Sequence, residues 1–134
     1  ASSLPRLQDS LLKHGGDASP FFQRYLSPSH RDGAGKGCPM PALAVDAARE
    51  QGAVAEALTR GIGSYLETFA CQRPDGSRIE APTAADKARA ITSLSALVGG
   101  MVLARATAEA APALSNEILA TLQAELSRLW TGGA

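Results

Sequence analysis

The sequence predicts an all-α domain, a bundle of about five or six helices, and three observations carry that expectation. Alanine and leucine, the strongest helix formers, number 26 and 16, against four valines and four isoleucines. Aromatic residues, which favour strands, make up 4% of the chain. Apolar positions recur at helical spacing along most of the length, punctuated by Gly and Pro.

Leu4, Leu7 and Leu11, with Leu12 beside them, predict a first helix that stops at Gly15-Gly16. A short second helix follows, with Ser19 as N-cap and Pro20 in the first turn, where its missing N–H costs nothing. Phe21, Phe22, Tyr25 and Leu26 give it an aromatic face, and Ser27-Pro28 ends it. Residues 29–37, SHRDGAGKG, read as a glycine-rich charged loop. Pro39 then opens a third helix, with Cys38 near its cap and Met40, Leu43, Ala44 and Ala47 as apolar positions, ending about Gln51-Gly52. From Ala53 to roughly Gln72, Val54, Leu58, Ile62, Tyr65, Leu66 and Phe69 trace one stripe. Residues 73–82 are irregular, with a turn at Pro74-Asp75-Gly76.

Two helices close the chain. The first runs from about Thr83 to Thr107, with Ala90, Ile91, Leu94, Leu97, Val98, Met101 and Val102 on one broad apolar face. Ala88, Thr92, Ala96, Gly99 and Leu103, mostly small, lie opposite. Gly99 and Gly100 should each cost ~1 kcal/mol in mid-helix relative to alanine, which close packing of a neighbour against bare backbone would offset. The last helix starts after Pro112, with Ser115 as N-cap, Glu117 in the first turn, and Ile118, Leu119, Leu122, Leu126, Leu129 and Trp130 as its stripe.

Length and charge narrow the function classes. At 134 residues the chain is one domain's worth. Lys plus Arg and Asp plus Glu both total 13, so the basic footprint of a domain that binds phosphate backbones by itself is missing. No apolar run approaches a membrane span, and ASSLPRLQDS has no signal-peptide pattern, so a soluble cytoplasmic domain without membrane contact is expected. Cys38 and Cys71 are too few for a structural zinc site or a disulfide scaffold, and neither His14 nor His30 has a metal-ligand spacing. No metal or cofactor is expected. Gly33, Gly35, Lys36 and Gly37 fail the spacing of a phosphate loop. His30 and Asp32 could form an acid–base pair, but no nucleophile motif accompanies them, so the chain is read as a non-enzyme.

Clustering of residue type points elsewhere. Phe21, Phe22, Tyr25, Tyr65 and Phe69 concentrate the aromatics in two segments, and Met40 and Met101 add adaptable side chains. Helical spacing of aromatics means core; pockets between bundle helices also hold apolar ligands, and both readings stay open. The candidate ligand residues are Phe21, Phe22, Tyr25, Met40, Leu43, Ile62, Tyr65, Leu66, Phe69 and Met101.

The run RYLSPSHRDGAGKGCPMPALAVDAARE (Arg24–Glu50) resembles the C-terminal effector domain of TetR-family transcriptional regulators, where a YLSP-x-HRD…GCP-x-AAL segment joins two helices. ARAITSLSALVGGMVLARAT (Ala88–Thr107) followed by LSNEILATLQAEL (Leu114–Leu126) is similar to that family's final two helices. The resemblance covers most of the chain. It implies a ligand-sensing and dimerisation domain of a repressor released from DNA by a small apolar molecule. The family's helix-turn-helix domain has no counterpart here, so residues 1–134 are expected to be a single effector domain that meets DNA only through that missing part.

A homodimer is the expected partner, formed by the last two helices and their symmetry mates as a four-helix bundle. Both faces of the long helix want burial, and a monomer of this size has one core to offer. The candidate interface residues are Leu94, Leu97, Val98, Val102, Arg105, Ile118, Leu119, Leu122, Leu126 and Leu129. Two rivals remain: a pure dimerisation module without a ligand, and a small all-α enzyme using His30 and Asp32.

Overall fold

The computed structural model describes residues 4–33, 49 and 52–131. Among these residues the chain forms six helices and no strand. They are α1 (Leu4–Lys13), α2 (Ser19–Tyr25), α3 (Pro28–Asp32), α4 (Ala53–Ala70), α5 (Ala84–Thr107) and α6 (Pro112–Thr131). The all-α bundle expected from composition is what the chain builds. Of the helix expected from Pro39, Arg49 is described and is helical, while Cys38, Met40, Leu43, Ala44 and Ala47 lie outside the described residues.

The centre is an antiparallel hairpin of α5 and α6. Three contacts fix its register: Ser115 against Ala104, Leu122 against Gly100 and Trp130 against Ser93. A Cβ on Gly100 would collide with Leu122, so this glycine lets α6 lie directly on the α5 backbone. Gly99 meets nothing within 4 Å, so the close-packing argument holds for one of the two glycines within this chain. Against the hairpin pack α4 on α5, α2 on α6 and α3 on α5, while α1 bridges α2 and α4.

Several boundaries differ from the sequence reading, each for a local reason. Ser19 is the first residue of α2 rather than its cap; the Asp17 carboxylate accepts from the Ser19 amide at 2.9 Å instead. The expected loop over 29–37 begins as helix α3, because Ser27 accepts from the His30 amide and Pro28 sits at the first position. Ser115 does not cap α6, which starts at Pro112; its amide already bonds back to Ala111. The α4 stripe is buried only in its second half, at Tyr65 and Phe69, while Val54 is exposed. In α5 the broad apolar face splits. Ala90, Leu94, Leu97 and Met101 enter the core, and Ile91 and Val102 face outward.

The α1 stop at Gly15-Gly16 is geometric. Both glycines have positive φ (61° and 89°), and Gly16 abuts the Gly76 backbone so closely that an added Cβ would lie 2.7 Å from its carbonyl oxygen. Contrary to the expectation for apolar runs, α5 is long and apolar enough to cross a membrane by length and composition. It is also the helix on which α3, α4 and α6 converge, and its Ile91, Val102 and Leu103 stay exposed.

Candidate functional site

Four aromatic rings meet where α2, α4 and α6 converge. Phe22 and Phe69 lie 5.9 Å apart and near parallel. Trp130 tilts against both, at 6.0 and 5.7 Å, and Tyr65 stacks on Phe69 at 6.5 Å. These offset and tilted arrangements suit ring quadrupoles and add to the burial of large apolar area. The Trp130 indole N–H donates to the Ser93 hydroxyl at 2.8 Å, which in turn donates to the Arg89 carbonyl. The Arg89 guanidinium lies 5.6 Å from the centre of the same ring, a cation–π contact.

Of the ligand candidates, Phe22, Tyr65 and Phe69 are therefore brought together. Phe21 and Tyr25 form a second pair 5.9 Å apart, and the Tyr25 ring also meets His30. Met101 is fully buried in the same core, and Ile62 and Leu66 are half-buried at its edge. Met40 and Leu43 lie outside the described residues. Trp130, assigned from sequence only to the stripe of the last helix, is the member missed. Among the described residues, four surface clefts are lined by other residues. One, of about 660 Å³, runs between the start of α5 and the end of α6, along Ala88, Arg89, Thr92 and Leu129. None of these four is lined by the candidate aromatics.

Asp86 is the electrostatic centre of the aromatic end. Its carboxylate accepts from the Thr83 amide and hydroxyl, both at 2.9 Å, and from the guanidinium groups of Arg73 and Arg89, each at 3.2 Å. The Thr83 hydroxyl accepts from the Asp86 amide in return, a capping box that starts α5. The Thr83 amide first, then Arg73, hold this carboxyl far below the usual carboxylate range. A Thr-x-x-Asp signal ahead of an apolar run is visible in the sequence; the two arginines are not.

At the opposite end of the hairpin sits a polar clasp. Arg31, whose side chain is 12% exposed, donates from Nη1 to Ser115 Oγ at 2.9 Å and Asn116 Oδ1 at 2.8 Å. The Ser115 hydroxyl in turn donates to the Ala104 carbonyl at 2.6 Å. From α5, Arg105 donates to the carbonyls of Arg31 and His30, both at 3.2 Å. The clasp thus binds α3 to both arms of the hairpin.

The His30–Asp32 pair does not form. Asp32 gives both carboxylate oxygens to Arg31, at 2.9 and 3.3 Å. His30 Nδ1 lies 2.8 Å from the Tyr25 carbonyl, which can only accept, so the proton resides on Nδ1. Burial is the main cause holding the imidazole pKa below 6.5. The Tyr25 bond opposes that shift, and the positive charges of Arg105 and Arg6 add to it. Among the described residues, no three His, Cys, Asp or Glu side chains are grouped to hold a metal ion.

The interface candidates divide by burial. Leu94, Leu97, Leu119 and Leu126 are buried inside the chain's own core, which removes them from any partner surface. Leu122 packs on Gly100, and Arg105 is committed to the clasp. Val98, Ile118 and Leu129 are half-buried and Val102 is exposed. Ile91, Leu103 and Leu114, absent from the sequence selection, are exposed at 54%, 56% and 46%. No family model, curated protein or solved structure matches the chain.

Proposed function

We propose that this chain is the ligand-sensing and dimerisation domain of a TetR-like transcriptional regulator, a cytoplasmic repressor released from DNA by a small apolar molecule. DNA contact in that reading belongs to a helix-turn-helix domain outside these residues. One observation carries the proposal: the outward face of the α5–α6 hairpin keeps Ile91, Val102, Leu103 and Leu114 in solvent, alongside a bare Gly99. A second copy turned about a two-fold axis would cover that face and close a four-helix bundle. Sensing further requires that the ligand bind one arrangement of the pair better than the other, since equal affinity shifts nothing.

The test places a charge where the chain itself does not need the side chain. Leu122→Glu would disrupt the hairpin, because Leu122 seats on Gly100. Leu103→Glu instead should leave the monomer within ~0.5 kcal/mol of wild-type stability. It should weaken association by ~3 kcal/mol or more, about a hundredfold in Kd, by burying an unpaired carboxylate. Light scattering that finds a wild-type monomer at micromolar concentration defeats the dimer, and an equally dimeric Leu103→Glu variant defeats this face as its interface.

A dimerisation module without a ligand is the second reading, and the ring-on-ring packing of Phe22, Tyr65, Phe69 and Trp130 favours it. Thermal shift separates the two. A ligand at about 100 times its Kd adds about 2.7 kcal/mol, so silence across a panel of apolar small molecules would leave dimerisation alone.

A further inference from the structure

We infer that Arg31 is a relay through which a displacement of α2 reaches the first turn of α6, so that the aromatic segment of α2 and the outer hairpin are mechanically coupled. Its regulatory meaning rests on the dimer proposed above; the coupling itself does not. Two residues separate α2 from α3, and that link is fastened at both ends. The Ser27 hydroxyl donates to the Arg24 carbonyl at 2.7 Å and accepts from the His30 amide at 3.1 Å. His30 bonds the Tyr25 carbonyl, and its ring lies 4.5 Å from the Tyr25 ring. So α3 must follow when the end of α2 moves.

Movement of α3 is then passed on by one side chain. Arg31 Nη1 holds Ser115 and Asn116, on the fourth and fifth residues of α6. The geometry is demanding: a planar guanidinium whose Nη1 meets two acceptors, while Nε and Nη2 grip Asp32, cannot translate without breaking at least one bond. Arg105 holds the α3 backbone on α5, so the motion open to α3 is a pivot about that contact. A competing route exists lower on α6, where Gln123 Nε2 donates to the carbonyls of Gln23 and Leu26 at 3.0 and 2.8 Å. The two routes reach different turns, which makes them separable.

Hydrogen exchange on a double-mutant cycle tests the relay. Phe21→Leu perturbs α2 at a buried ring partner of Tyr25. It should quicken exchange at amides 115–119 by about threefold or more relative to amides 97–101, the range expected of coupled sites. Combined with Arg31→Gln, the same substitution should change that ratio by less than about 1.5-fold. Asn116→Ala, at an exposed position, removes one acceptor without touching the core and should give an intermediate ratio; it serves if Arg31→Gln does not fold. The inference is overturned if Phe21→Leu never reaches 115–119. It is equally overturned if the effect persists without Arg31, whether or not Gln123→Ala abolishes it. Exchange is read on monomer or dimer alike, so a monomer by light scattering would defeat the dimer and leave the relay standing.

Discussion

The two ends of the α5–α6 hairpin are held by opposite physics. At the Ser93–Trp130 end, four rings from three helices exclude water, and the polar atoms present (Ser93, the indole N–H, Arg89) serve to orient the tryptophan. At the Ala104–Ser115 end, two arginines, a serine and an asparagine grip backbone and side-chain acceptors on three helices. The aromatic end gains from area and tolerates small shifts, because apolar attraction has no preferred direction. The clasp gains from direction, so it either holds one geometry or opens. One end sets how stable the bundle is; the other sets how the short helix α3 sits on it.

The sharpest break of this contrast removes Trp130. Trp130→Ala should destabilise by about 3–5 kcal/mol, because Phe22 and Phe69 lose their common neighbour and a large cavity opens. Trp130→Phe should recover much of that loss, since area dominates and only the Ser93 bond is forfeited. Chemical denaturation measures both. If the phenylalanine variant is as unstable as the alanine one, orientation by Ser93 and Arg89 outweighs area, and the contrast between the two ends collapses.

This difference also explains what was legible in the sequence. The apolar end is written locally: Tyr65 and Phe69 are one helical turn apart, Phe22 sits on a recognisable aromatic face, and periodicity alone nominates them. Trp130 was readable as stripe but not as hub, since its ring partners come from residues 22 and 69. The clasp is unreadable, because Arg31 and its acceptors are separated by 84 and 85 positions and no period links them. Ser115 misled for the same reason. Its residue type suits an N-cap, and its real bonds run to Ala104 and Arg31. Asp86 falls between, its capping box local and its arginine partners not.

Gly99 and Gly100 give a smaller and more discriminating pair of tests between the ends. Gly100→Ala drives a methyl into Leu122, so α6 must shift or Leu122 change rotamer, at a cost of about 1–3 kcal/mol. Gly99→Ala meets open space and carries a helical preference, so the isolated chain should gain about 0.5–1 kcal/mol. Thermal unfolding at low and high protein concentration turns this into a statement about the outer face. A gain at every concentration means that Gly99 faces water. A gain in dilute protein that shrinks or reverses in concentrated protein means that a second copy presses on the bare backbone there.

The smallest expected effect belongs to the clasp end and is a dependence on pH. His30 in the folded chain has its pKa held below 6.5, chiefly by burial, with Arg105 and Arg6 contributing positive charge. The neutral imidazole is therefore favoured by folding, and the unfolded chain binds the extra proton first. Stability from this group is fully present above about pH 6.5. It is lost as pH falls from there toward the depressed folded value, because over that window the unfolded state holds more protons than the folded one. Asp86 and Asp32, both lowered, act oppositely to a raised carboxyl and lose their contribution only in more acidic solution. That separation leaves the window just below pH 6.5 to histidine. Melting temperature compared between pH 7.5 and pH 5.5 should fall in wild type and fall less in His30→Gln, whose amide can still donate to the Tyr25 carbonyl. An unchanged slope in His30→Gln would mean that α3 moves aside to hydrate the imidazolium. The clasp would then yield at a cost too small to hold one geometry, which is the property that sets it apart from the aromatic end.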